Sequence, residues 1–104
     1  MPLFGSPFSE LANSRKLTDE ELIRAIRFMV AAEFEATQMY VQLAESTNNK
    51  LAKAVLKDIA DEERVHAGEF LMLLFELAPD EKALYPKGAK EVDEMKSHLQ
   101  KKHK

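Results

Sequence analysis

Two stretches of the chain carry apolar positions in alternating steps of four and three, the spacing that lines side chains along one side of an α-helix. The first stripe is Leu22, Ile26, Met29, Ala36, Tyr40 and Leu43, with Glu33 set into it. The second is Leu56, Ile59, Phe70, Leu73 and Leu77, with Glu63 and His66 set into it. Ahead of the first stripe, Thr18-Asp19-Glu20-Glu21 reads as a capping box, with Thr18 at the cap and Glu21 reaching back. Leu17 and Leu22 have the spacing of a hydrophobic staple. The pattern predicts a helix from about Asp19 to Ser46 and a second from about Leu51 to Leu77, stopped by Pro79. Asn48 and Asn49 mark the turn between them, since asparagine tolerates the left-handed conformation and favours loops. Both stripes have the heptad-like seam suited to left-handed packing of antiparallel helices.

Outside the hairpin the pattern weakens. Residues 1–16 contain Pro2, Gly5 and Pro7 and read as a flexible arm, with the helical hairpin at 17–78 and a C-terminal helix and tail at 79–104. Tyr85-Pro86-Lys87-Gly88 is expected to break the chain. That leaves a short third helix from Ala89 to about Lys101, edged by Val92, Met95 and Leu99. The expected fold class is all-α: an antiparallel two-helix hairpin plus a short C-terminal helix, in one small domain.

Composition narrows the function classes. A chain of 104 residues with 45% hydrophobic and 32% charged residues is typical of a small helical protein with one core. A net charge of -3 gives no reason to expect a nucleic acid partner. Zero cysteines exclude disulfides, thiolate metal sites and a rubredoxin-type iron centre, and favour a cytoplasmic setting. No apolar run approaches the roughly 20 residues needed to span a bilayer, and the N-terminus lacks the basic-then-apolar order of a signal peptide.

The polar residues set into the stripes carry the chemistry. Glu63 and His66 are three apart and share one helical face. Counted from the Asn48-Asn49 turn, Glu33 lies fifteen residues before and Glu63 fourteen after. At about 1.5 Å of rise per residue, the two carboxylates are level across the hairpin to within about one turn. Ionised carboxylates in an apolar seam cost several kcal/mol each without a partner, and two together repel. Neither Arg nor Lys shares these stripes, so a divalent cation is the natural counter-charge. Oxygen and imidazole donors without sulfur suit iron, manganese or zinc.

One Glu from one helix and Glu-x-x-His from the next make half of a two-metal carboxylate site. Pairing two hairpins about a two-fold axis supplies four Glu and two His, enough for two ions per dimer. Against this stands the plainer reading, a locally wet seam at a dimer interface, for Glu-x-x-His alone is common on helix surfaces. Glu35 sits on a neighbouring stripe and reads as a rim residue or a metal entry point. Tyr40, two turns from Glu33, reads as core packing with its hydroxyl bonded to a ligand carboxylate. Asp61, Glu62, Glu69, His98 and His103 read as solvated.

Around these residues the chain resembles the encapsulated ferritins, short ferritin-like proteins carried inside encapsulin nanocompartments. The resemblance rests on Ala32-Glu33-Phe34-Glu35-Ala36 followed by Tyr40, and on Asp61-Glu62-Glu63-Arg64-Val65-His66 followed by an apolar run. It covers roughly residues 18 to 79, and part of the motif is shared with rubrerythrins. The resemblance implies a homodimer closing a ferritin-like four-helix bundle, with Glu33, Glu63 and His66 as ferroxidase ligands for two iron ions per dimer. It further implies Glu35 near the metal entry route, Tyr40 beside the centre, rings of dimers, and an encapsulin shell as partner and location. The chain departs from the family at Ala32, where a second acidic residue is usual. It departs again in the basic stretch Lys101-Lys102-His103-Lys104, where cargo proteins commonly carry an apolar targeting peptide. Two alternatives remain: a rubrerythrin-like peroxide reductase, and a non-enzymatic dimerisation module that holds zinc.

Overall fold

The computed structural model describes residues 14–102, and most of the 1–16 arm and the last two residues of the tail lie outside that range. The described residues form three helices, α1 (Asp19–Glu45), α2 (Lys50–Leu77) and α3 (Pro79–Lys102). The capping box is made at both ends. The Glu21 amide donates to Thr18 Oγ1 at 3.2 Å, and the Thr18 amide donates to Glu21 Oε1 at 2.9 Å. Arg15 grips the same carboxylate through two nitrogens, each at 2.8 Å. Asn49 is the cap of α2, its Oδ1 accepting from the Ala52 amide at 2.9 Å. Its φ is -71°, and among the described residues no non-glycine has positive φ. Asn49 therefore turns the chain by capping a helix and not, as expected, through a left-handed backbone.

The heptad period holds, but its phase is shifted. The residues buried within the hairpin include Ile26, Val30 and Ala44 on α1 and Ala60, Ala67 and Leu74 on α2. On α2 the buried positions recur every seven residues, and on α1 half-buried Thr37 falls between Val30 and Ala44 at the same interval. Three of these six are alanines, which let two helix backbones approach closely. The bulky stripes expected to form the seam lie beside it. Met29, Tyr40, Ile59 and Phe70 are half-buried, while Leu43 and Leu73 are 55% and 43% exposed. The hairpin thus has an inner seam of small residues and an outer, apolar flank that is only partly covered among the described residues.

The expected break at Tyr85-Pro86-Lys87-Gly88 is absent. α3 runs for 24 residues with Pro86 inside it. Pro79 occupies the first position of α3, where a missing N–H costs nothing. Side-chain contacts, one of them long-range, then secure the first two turns. Arg27 of α1 pairs with Glu81, Tyr85 donates its hydroxyl to Glu81, and the Phe75 and Tyr85 rings meet edge-on at 5.5 Å. Hydrogen bonds from Arg27, then from Tyr85, hold the Glu81 carboxyl below its ordinary range. Pro86 follows at once, in a fully exposed stretch where water can satisfy the carbonyl its ring leaves unpaired.

The molecule is one helix layer thick. Its extents are 61 × 45 × 19 Å, and its radius of gyration of 18.5 Å exceeds the roughly 13 Å of a compact chain this long. A domain normally closes its core with a second layer. Among the described residues none is present, and from residue 82 to residue 101 α3 is exposed throughout.

Two outcomes follow from these contacts. The Glu21 carboxyl, held by Arg15 first and then by the Thr18 amide, titrates at about 2 against an ordinary 4.5. A depressed carboxyl stabilises the fold above its unfolded value, so this contribution fades as pH falls from about 4.5 to about 2. Amide exchange in the first turn of α1 should accelerate across that window, and Glu21→Gln should flatten the response. At Ala60, only 1% exposed, substitution by leucine should cost about 1–3 kcal/mol in urea unfolding at fixed protein concentration, through overpacking of the seam.

Candidate metal centre

Glu33 lies three residues past buried Val30, Glu63 three past buried Ala60, and His66 one before buried Ala67. The inner seam therefore fixes all three on the same flank of the hairpin, at the height where α1 and α2 run side by side. The structure brings them together as the spacing requires. One donor atom from each of Glu33, Glu63 and His66 lies within 4.8 Å of the others. His66 Nδ1 is 3.9 Å from Glu33 Oε2 and 3.7 Å from Glu63 Oε2. These separations are too long for hydrogen bonds. They match donors sharing one ion, since bonds of about 2.1 Å set neighbouring donors roughly 3–4 Å apart.

The electrostatics point the same way. The side chains of Glu33 and Glu63 are 17% and 19% exposed, whereas His66 is 49% exposed. Glu33 Oε2 is shut off from solvent and has no hydrogen-bond partner among the described residues. The ion pairs made by arginines in the described residues go to Glu21, Glu81 and Asp61, and none reaches Glu33 or Glu63. A sheltered carboxylate oxygen without a donor is costly and calls for a proton or a cation. Two carboxylates and one imidazole nitrogen form a donor set that fits a divalent transition metal.

The lesser candidates fall outside this cluster. Glu35 is half-buried on α1 and is not one of the three grouped donors. Tyr40 is half-buried, and its hydroxyl makes no hydrogen bond to Glu33 or Glu63 within the single chain. Seven residues of helix put its Cα about 10 Å along the axis from that of Glu33, beyond the comfortable reach of a ring lying over its own turn. The expected hydroxyl bond to a ligand carboxylate is therefore not made within one subunit. Glu69, read from sequence as a solvated residue, is exposed but also lines a hollow of about 460 Å³ together with Glu33, His66, Phe70 and Leu73. The signal was present: Glu63-x-x-His66-x-x-Glu69 extends the same three-residue step by one more turn. A separate hollow of about 380 Å³, lined by Lys53, Lys57 and Arg64 over Ala44 and Ala60, shares no residue with the three donors.

The rubrerythrin family model matches residues 10–101. The chain belongs to the rubrerythrin family. Among proteins similar to this rubrerythrin-family chain is the encapsulin nanocompartment cargo protein EncC of Myxococcus xanthus. It is 43% identical over 78 residues, which cover 75% of this chain and 59% of that protein. A ferritin-like–encapsulin shell fusion protein of Pyrococcus furiosus is 36% identical over 78 residues, covering 75% of this chain and 23% of that protein. The chain thus spans less than two thirds of either relative. In three dimensions it is similar to the crystal structure of the encapsulated ferritin domain from Pyrococcus furiosus. The TM-score is 0.78 at 32% identity, over 84% of this chain and 89% of that one. The expected all-helical fold, a hairpin with a C-terminal helix, is thereby borne out, with α3 longer than foreseen.

The orphaned Glu33 oxygen sets a sign that can be measured. In metal-free protein, Glu33→Gln should leave thermal stability unchanged or raise it, since it removes an uncompensated charge. In the presence of Co(II) the same variant should melt below wild type, because wild type gains binding free energy that the variant lacks. Thermal scans with and without Co(II) check this reversal.

Proposed function

We propose that two copies of this chain pair through the uncovered flank and close a four-helix bundle around two iron ions, where Fe(II) is oxidised to Fe(III) by dioxygen. The observation that carries this reading is the cluster of three donor atoms, within 4.8 Å of one another, beside a flank only partly covered among the described residues. Three donors cannot complete the coordination of two ions. A two-fold axis doubles them to four carboxylates and two imidazoles, the set used by helical-bundle di-iron proteins. Met29, Tyr40, Ile59 and Phe70, half-buried in one chain, would lose their remaining exposure in the pair.

In this reading the carboxylates of Glu33 and Glu63 hold the Fe(II) substrate and stabilise the higher charge of the ferric product. His66 binds as neutral imidazole and fixes each ion from the more open side. Each Fe(II) loses one electron to dioxygen. The cargo relative and the shell-fusion relative support a place for this chain inside an encapsulin shell, which would receive the oxidised iron. Leu84, Val92, Met95 and Leu99, all exposed on α3, offer surface for joining dimers into a ring. Among the described residues no helix is long and apolar enough to cross a membrane.

The family match supports a second reading, a peroxide reductase like other rubrerythrin-type proteins. With zero cysteines in the chain, such turnover would draw electrons from a separate donor protein. Sustained peroxide consumption with an external reductant, against stoichiometric Fe(II) oxidation without one, separates the two.

His66→Ala and Glu33→Ala should each slow Fe(II) oxidation by about 100-fold or more. Losing even an outer partner of a metal ligand costs about 10–100-fold. Stopped-flow absorbance of Fe(III) formation measures the rate. Unchanged rates in both variants would refute the assignment, as would iron-loaded wild type sedimenting as a monomer.

A further inference from the structure

On α2, Lys53, Lys57, Ala60 and Arg64 follow one another in steps of four, three and four, so they share one side of the helix. Ala60 faces α1. At about 3.6 residues per turn, Lys57 and Arg64 fall on one side of it, while Ile59, Glu63 and His66 fall on the other. The bases therefore lie on the flank of the hairpin away from the metal donors, outside the proposed pair. Ala44 and Ala60, 5% and 1% exposed, have no side chain beyond Cβ, and the room they leave is a hollow of about 380 Å³. Lys53, Lys57 and Arg64 line it together with Glu45 and Asp61, so cations outnumber carboxylates there in a chain of net charge -3. Lys53 and Lys57 make no hydrogen bond or ion pair among the described residues. Arg64 gives one nitrogen to Asp61 at 3.2 Å, and both side chains are largely exposed. A pair so exposed holds weakly and leaves the other guanidinium donors free.

We propose that this hollow binds a linear chain of phosphates, either free condensed phosphate or the triphosphate of a nucleotide. From Lys53 to Arg64 the bases extend over about 16 Å of helix. A lone orthophosphate can meet two of these cations, whereas linked phosphates in a row can meet all three. The lysines act as point charges, and Arg64 offers the planar fork of donors that matches phosphate oxygens. Arg64 exchanges its single bond to Asp61 for the phosphate. The two alanines let the anion settle between the basic side chains, where the apolar floor lowers the local dielectric and strengthens the attraction. Binding here involves no reaction and does not depend on the metal centre.

Isothermal titration calorimetry of the full chain with tripolyphosphate tests the site, in low-salt buffer free of divalent cations, which would themselves bind the anion. Tripolyphosphate should saturate at one per chain. Orthophosphate should bind at least about tenfold more weakly, since it forgoes one cation. Lys57→Gln and Arg64→Gln should each weaken tripolyphosphate by about tenfold, because each removes a charge-assisted hydrogen bond. Lys82→Gln, which removes an exposed charge from α3, should leave the affinity at the wild-type value. ATP distinguishes the two sources. Affinity equal to or above that of tripolyphosphate marks a nucleotide site, and lower affinity marks one for free condensed phosphate; both support the proposal. It is overturned if wild type binds no tripolyphosphate, or if neither Lys57→Gln nor Arg64→Gln weakens it. An equal loss in Lys82→Gln would overturn it as well, by reducing the effect to net charge. Orthophosphate binding as tightly as tripolyphosphate would do the same, by removing the need for a chain.

Discussion

A carboxylate oxygen that is out of reach of water and has no donor is the constraint around which this structure is arranged. Glu33 Oε2 occupies that position, with a second carboxylate and an imidazole as its nearest ionisable neighbours. A fold tolerates such a group with a proton or a compensating cation, because the interior offers far less screening than solvent. The neighbouring seam makes the constraint unavoidable. Val30, Ala60 and Ala67 are locked between the helices, and the residues three past or one before them have no freedom to swing into water together. Packing thus places the charges, and the charges then select the ligand.

The same packing explains why the hairpin is an incomplete unit. Alanines at 44, 60 and 67 use up little volume, so the inner seam is narrow and the larger side chains spread along its flank. Burying that flank against a second layer is the main reserve of hydrophobic stabilisation left to the chain. In this thin layer of helices the three candidate donors lie on the same side as the half-buried apolar flank, so a layer that covered the flank would also enclose the donors.

Much of this was legible in the amino-acid order, for identifiable reasons. Thr18 and Glu21 act through local hydrogen bonds, so the start of α1 could be read from four letters. The level placement of Glu33 and Glu63 followed from counting out from the turn, because helical rise is nearly constant. The phase of the seam was not legible, since bulky residues dominate any apolar pattern while the closest approach here belongs to alanines. The continuity of α3 was hidden for a different reason. Arg27 and Glu81 are 54 positions apart, and no local window contains both.

Pro86 gives α3 a mechanical character that its continuous run of helical residues conceals. Upstream, the helix is riveted to the hairpin through Glu81 and Tyr85; downstream lie some sixteen residues, about 25 Å of rod, exposed up to residue 101 among the described residues. Proline is the ordinary place for a helix to flex, and a bend of about 25° at its foot swings the far tip by roughly 10 Å. The distal rod is therefore a boom on a pivot. It can meet neighbours at different spacings while the hairpin that carries Glu33, Glu63 and His66, on the other side of the rivet, stays still.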